Sequence, residues 1–206
     1  LAPEHVARVE PLTVGGHAAD RSQANEDSIG CVIGCGAIGL GAILGLANKN
    51  CRKVIAVYVD DEKLALAREF GATDVVNSKA QDLHVELGKL TDGQGPNVII
   101  EAVGSPFTYR QAVDEIAFAG VVVCIGYAKD EVAFDTSYFV KKELDIRGSR
   151  NAMPNNFRRI IRLLRDNKFP ADKMITKIYD FEDAGQALED WNSNPAKVCK
   201  LLVKVN

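Results

Sequence analysis

The sequence has no apolar run approaching the roughly 20 residues that a membrane-spanning helix needs. Residues 1–10 hold no apolar stretch of the secretory-signal kind. It also lacks any CxxC pair. The five cysteines (Cys31, Cys35, Cys51, Cys124, Cys199) are an odd number at irregular spacing, which fits a reducing compartment rather than a disulfide frame. Together these absences predict a cytoplasmic protein. There are only three histidines, His5, His17 and His84, and no metal-ligand spacing relates them. No charge sign dominates: 25 Lys and Arg stand against 28 Asp and Glu, a formal net charge of −3. Without clustered cations, nucleic acid is excluded as the main partner. Repeats and low-complexity segments are absent too. What is present is 47% hydrophobic residues in a chain of 206, enough for a substantial core and too many for disorder. The length fits one domain, or one domain plus part of another. The chain opens at Leu1 rather than Met, which predicts further sequence upstream.

From residue 28 onward, short apolar runs alternate with longer segments of helical period, the pattern of βαβ units. The runs fall at 29–33, 54–59, 74–76, 98–102, 121–125 and 144–146, with helices expected at 37–48, 62–70, 80–90, 108–118 and 137–142. Six such strands predict an α/β fold with a doubly wound, six-stranded parallel sheet. Ahead of them, a helix started by Pro11 is expected. Behind them come helices at 156–166 and 181–192 and a final strand at 198–205, with Phe181 and Trp191 packing that terminal segment.

The sharpest local signal is Gly34-Cys35-Gly36-Ala37-Ile38-Gly39, which follows an apolar run and opens an Ala-rich helix. Gly34 permits a tight strand-to-helix turn, Gly36 lets a pyrophosphate approach the backbone, and Gly39 allows close packing of helix on sheet. The anion would sit on unpaired N–H groups at the helix N-terminus. Cys35, beside that terminus, is expected to have a lowered pKa and a side chain turned away from the ligand. The fingerprint then expects a carboxylate ending the second strand to accept from the ribose hydroxyls. Tyr58 stands there instead. Asp60 is the nearest acid and serves either as that acceptor or as the N-cap of the next helix, and Lys63 is the nearest base.

Several segments together resemble the medium-chain, zinc-type alcohol and polyol dehydrogenases. They are Glu10-Pro11-Leu12, the Gly34–Gly39 turn, Asp60-Asp61-Glu62-Lys63-Leu64-Ala65, Phe70-Gly71-Ala72, Glu101-Ala102-Val103-Gly104, Gly126-Tyr127 and Arg147-Gly148-Ser149-Arg150. The sorbitol, threonine and sugar-acid dehydrogenase branch is the most similar. The resemblance starts near residue 8 and covers only the later part of such an enzyme. It implies flanking remnants of a catalytic domain at 1–20 and 151–206, around a Rossmann domain at 21–150. It implies NAD or NADP as cofactor and zinc in the intact enzyme, its Cys and His-Glu ligands lying in a lobe this sequence does not contain. Glu10 would address that zinc directly or through a water. Val14 and Ile38 would flank the nicotinamide, while Gly34, Gly36, Ala37 and Gly39 cradle the pyrophosphate. Val103 and Gly104 would line the adenosine side, with Tyr58, Asp60 and Lys63 at the ribose. Ile125, Gly126 and Ser149 would meet the nicotinamide and its carboxamide, and Arg150 and Asn151 a polar substrate or the cofactor. The implied partners are a polyol or sugar-acid substrate and a second copy of the chain, in a homodimer or homotetramer.

Residues 1–206 alone are expected to bind little zinc and not to turn over an alcohol, since three protein ligands are needed. Two other classes compete with this reading. A methyltransferase shares the glycine turn but would end in an antiparallel hairpin. A non-catalytic dinucleotide-binding module would tolerate Tyr58.

Overall fold

A computed structural model describes residues 3–205. Six strands, β1 (Ile29–Ile33), β2 (Lys53–Tyr58), β3 (Asp74–Asn77), β4 (Val98–Glu101), β5 (Val121–Cys124) and β6 (Asp145–Gly148), form one parallel sheet in the order β3-β2-β1-β4-β5-β6. The doubly wound sheet is therefore as the apolar runs predict. Strand order reverses between β1 and β4, and in such sheets the ligand crevice opens there, beyond the carboxyl ends of the strands.

Side chains alternate across the sheet and feed two cores. Val32, Val54 and Ala56 pack on one face; Cys31, Ile33, Ile55 and Val57 pack on the other. The first face is covered by α1 (Pro3–Arg21), α2 (Ala37–Ala47), α3 (Asp61–Glu69) and α7 (Pro154–Arg165), the second by α4 (Leu83–Leu90) and α5 (Pro106–Glu115). A short α6 (Ser137–Lys142) precedes the edge strand β6, where Ile146 is exposed. Helix α2 is buried from Gly39 to Leu46 because it is apolar on every side. Leu40, Ile43 and Leu46 each contribute about 1.5–3 kcal/mol by leaving water.

Two elements differ from expectation. Pro11 does not start α1 but lies inside it. A proline there removes a helix hydrogen bond at a cost of about 3 kcal/mol. Burial of Val9, Leu12, Ala18 and Ala19 along α1 offsets that cost. The C-terminal region holds a strand that the sequence does not predict. β7 (Ile175–Tyr179) pairs in parallel with β8 (Lys200–Val203) in a separate two-stranded sheet, and α8 (Ala184–Ser193) connects them. β7 is exposed at its three central residues and shifts register between Ile175 and Lys177, so it carries no clean alternation to read.

Asp20 ties α1 to α7. Its Oδ2 accepts from Asn156 Nδ2 at 2.6 Å and Arg159 Nη2 at 3.0 Å, its Oδ1 from Arg159 Nη1 at 3.1 Å, and Lys49 Nζ stands 3.3 Å away. Burial pushes the Asp20 pKa up, but Arg159 and then Lys49 outweigh it and hold the carboxyl below its ordinary value. Such a group stabilises above its unfolded pKa of about 3.9, and the contribution fades as pH falls through the lower folded value. Asp20→Asn is expected to cost about 1 kcal/mol at pH 7, discounted for partial exposure. Urea denaturation at pH 7 and pH 3 checks this: the gap from wild type should narrow at the lower pH.

Candidate functional site

The glycine-rich turn joins β1 to α2 at the topological switch. Gly34 has φ +110°, a conformation that disfavours any side chain, and its N–H donates to Val57 O at 2.9 Å. Gly36 is the N-cap of α2 and no side chain caps it. First-turn N–H groups lack intrahelical acceptors. Among the described residues no loop carbonyl takes those of Ala37, Ile38 and Gly39. A Cβ built on Gly36 would meet nothing within 4 Å, so the space beside this N-cap is open. Cys35 is fully buried, its Sγ 3.8 Å from Val57 O. Burial pushes its pKa up to about 12, which corrects the expectation of a lowered value: desolvation outweighs the opposing charge of Lys63.

A cleft of 540 Å³ opens at this turn. Of the residues singled out from sequence, Glu10, Gly34, Gly36, Ala37, Ile38, Gly39, Tyr58 and Val103 line it together. Val14 packs against the first core instead. Gly104, with φ +82°, sits behind Val103. Ile125 is buried after β5, and the space for a side chain on Gly126 is filled by the Gly104 backbone. Ser149 follows β6 and its buried Oγ has no partner among the described residues. Arg150 is exposed beside it.

The adenosine-side residues are arranged more specifically. β2 ends at Tyr58, and Asp60 is the N-cap of α3, its Oδ1 accepting from Lys63 N at 3.1 Å. Lys63 itself is buried, and burial lowers its pKa. Tyr58 Oη donates to Ala196 O at 3.3 Å.

Two features escape sequence reading. The first is the contribution of the C-terminal region. Trp191, Pro195, Val198, Cys199, Lys200 and Leu201 form one wall of the cleft. Trp191 on α8 and Phe181 in the short turn before it are 56% and 60% exposed, so they do not share one helix or pack the terminal segment as expected. Lys200 adds a cation to the cleft's lining. The second is Glu101, wholly buried at the end of β4. Its Oε1 accepts from Val103 N at 2.9 Å, Gly104 N at 2.8 Å and Thr108 Oγ1 at 2.8 Å, which fixes the loop behind Val103. An acid closing a buried strand, with a glycine three residues later, is the signal that could have pointed to it.

The family model for zinc-binding dehydrogenases matches residues 37–166, which begin at α2, just after Gly34 and Gly36, and include strands β2 to β6. The chain belongs to this family. D-xylulose reductase from Morganella morganii is 34% identical over 184 residues, covering 89% of this chain and 54% of its own length. L-galactonate-5-dehydrogenase from Escherichia coli K12 is 30% identical over 193 residues, covering 92% and 55%. Among solved structures, 2R,3R-butanediol dehydrogenase from Bacillus subtilis superposes with a TM-score of 0.86 at 29% identity, covering 100% of this chain and 59% of its own. An alcohol dehydrogenase from Escherichia coli CFT073, solved with NADH, gives 0.87 at 27%, covering 99% and 60%. The chain thus spans about half the length of the curated dehydrogenases it matches. No helix among the described residues is long and apolar enough to cross a membrane.

The described residues fit a dinucleotide and do not fit a zinc ion. An uncapped helix N-terminus whose first residues line an open cleft suits a pyrophosphate. Glu10 reaches the cleft, but no group of three His, Cys, Asp or Glu side chains that could hold a metal occurs among the described residues.

Proposed function

We propose that this dehydrogenase chain binds NAD or NADP in the cleft and supplies the cofactor-binding part of hydride transfer between a secondary alcohol, a polyol or sugar acid, and the nicotinamide. The observation that carries the reading is the uncapped α2 N-terminus opening under Gly36 into a cleft lined by the turn itself. A bound nicotinamide dinucleotide supplies the hydride-accepting ring. The chain's own residues do the rest. Ala37, Ile38 and Gly39 offer backbone N–H groups to the pyrophosphate, and Lys200 adds positive charge across the cleft. Ile38 supplies apolar surface toward the nicotinamide end, backed by Val14 from the core beneath, with Ile125, Gly126 and Ser149 beyond the ends of β5 and β6. Glu101 holds the Val103–Gly104 wall in place. Glu10 stands at the cleft edge where the reacting centre would lie, and Arg150 offers an exposed cation to a polar substrate. In this scheme residues 21–150 form the dinucleotide-binding unit, and 1–20 and 151–206 flank it as parts of a catalytic domain.

Cofactor choice is readable at Tyr58. A carboxylate there would accept from the ribose diol in a charge-assisted bond worth about 1.5–3 kcal/mol, and would repel a 2′-phosphate. With a phenol in its place, discrimination between NAD and NADP should be weak. Tyr58→Asp is expected to tighten NAD and weaken NADP by about 10-fold or more. Calorimetry on both proteins tests the assignment, and unchanged affinities would overturn it.

Assembly as a dimer or tetramer is proposed from the β6 edge. Ile146 on the strand, and Val140 and Tyr138 on the adjoining α6, are exposed there, and pairing of two edges would cover them. Light scattering at micromolar protein should return at least twice the 22.3 kDa chain mass. A monomer mass would count against the pairing.

A further inference from the structure

The N-terminal turn of α3 gathers acid where the adenosine ribose would lie. Asp60 caps the helix directly beyond Tyr58, and Glu62 follows two residues later. Left alone, these two carboxylates would repel a phosphate on the ribose. They are not left alone. Lys197 crosses from the segment between α8 and β8 and places Nζ 2.8 Å from Asp60 Oδ2 and 3.0 Å from Glu62 Oε2. Its neighbour Ala196 accepts from Tyr58 Oη, so the ammonium is delivered to the end of β2 by a backbone contact as well as by charge.

We infer that Lys197 is a specificity-determining residue that makes the adenosine end of the cleft tolerant of a 2′-phosphorylated dinucleotide. The inference rests on the nucleotide reading of the cleft and goes beyond it by naming the residue that admits the phosphate. An ammonium carries three N–H donors. Asp60 and Glu62 occupy two of them, and the Lys197 side chain is 45% exposed, which leaves the third free to turn toward a phosphate oxygen. Charge points the same way. Asp60, Asp61 and Glu62 bring three negative charges to this corner, and Lys197 with the buried Lys63 brings two positive ones. Removing Lys197 deepens the net negative potential. A neutral ribose diol responds little to that change, whereas a phosphate dianion responds strongly. Selectivity, rather than overall affinity, is therefore the quantity that Lys197 controls.

The test is titration of the purified protein with NADPH and with NADH, followed by nucleotide fluorescence, for wild type, Lys197→Gln and Lys197→Arg. The Gln variant should weaken NADPH by about 10-fold and move NADH by less than about 2-fold, while the Arg variant retains the wild-type ratio. Added salt should weaken NADPH more than NADH in wild type and lose that difference in the Gln variant. Equal loss of both nucleotides in the Gln variant would assign Lys197 to holding down the C-terminal segment and overturn the inference. An unchanged ratio would overturn it as well. Wild-type protein that binds neither nucleotide would refute the nucleotide reading itself, and the inference would fall with it.

Discussion

Gly39→Ala is expected to cost more than about 3 kcal/mol and to leave little folded protein, although it adds one methyl group. A Cβ at position 39 would lie 1.8 Å from Gly34 O and 2.8 Å from Gly34 C, both backbone atoms of the turn that precedes the helix. Neither can give way without moving β1 or α2. The turn is also held from the far side, since Gly34 N donates to Val57 O in the neighbouring strand. Gly36→Ala, three positions earlier, is the internal control. Nothing lies within 4 Å of its Cβ position and its φ of −72° suits any residue, so the cost should stay below about 1 kcal/mol. Thermal or urea denaturation of the two variants separates a glycine required by packing from one that packing does not require.

Gly36→Asp carries the largest expected effect on ligand binding. Aspartate is a preferred N-cap, so the variant should fold at least as well as wild type. Its carboxylate would take the first-turn N–H groups that the proposed pyrophosphate needs, and would put a negative charge where that anion sits. Two like charges about 4 Å apart repel by about 1–4 kcal/mol near a protein surface. With loss of the donors added, NADH and NADPH should both weaken by at least about 100-fold. A stable variant that still binds either nucleotide with wild-type affinity would place the pyrophosphate elsewhere.

The sheet is legible in the sequence because its strands are buried on both faces. Such strands read as continuous apolar runs, and 29–33, 54–59 and 121–125 need no partner to be recognised. The phosphate turn is legible for a related reason: its glycines are demanded by local geometry, at Gly34 by a positive φ and at Gly39 by contact within the same turn. What the sequence hides is long-range. Tyr58 meets Ala196 across 138 residues, and Lys197 meets Asp60 across a similar distance, so neither contact leaves a local spacing to find. Pro11 misleads in the opposite way. Its local rule, that proline begins helices, yields to packing of α1 against α2 and the core. Sequence alone leaves Asp60 open between two roles; because β2 ends at Tyr58, Asp60 is a helix cap.

Whether the cleft at the N-terminus of α2 is a dinucleotide site is decided by calorimetric titration of the wild-type protein with NADH and with NADPH. Saturable binding of both is expected, with one nucleotide per chain, similar affinities, and loss of both signals in Gly36→Asp. A folded wild-type protein that takes up neither nucleotide would contradict the dinucleotide reading.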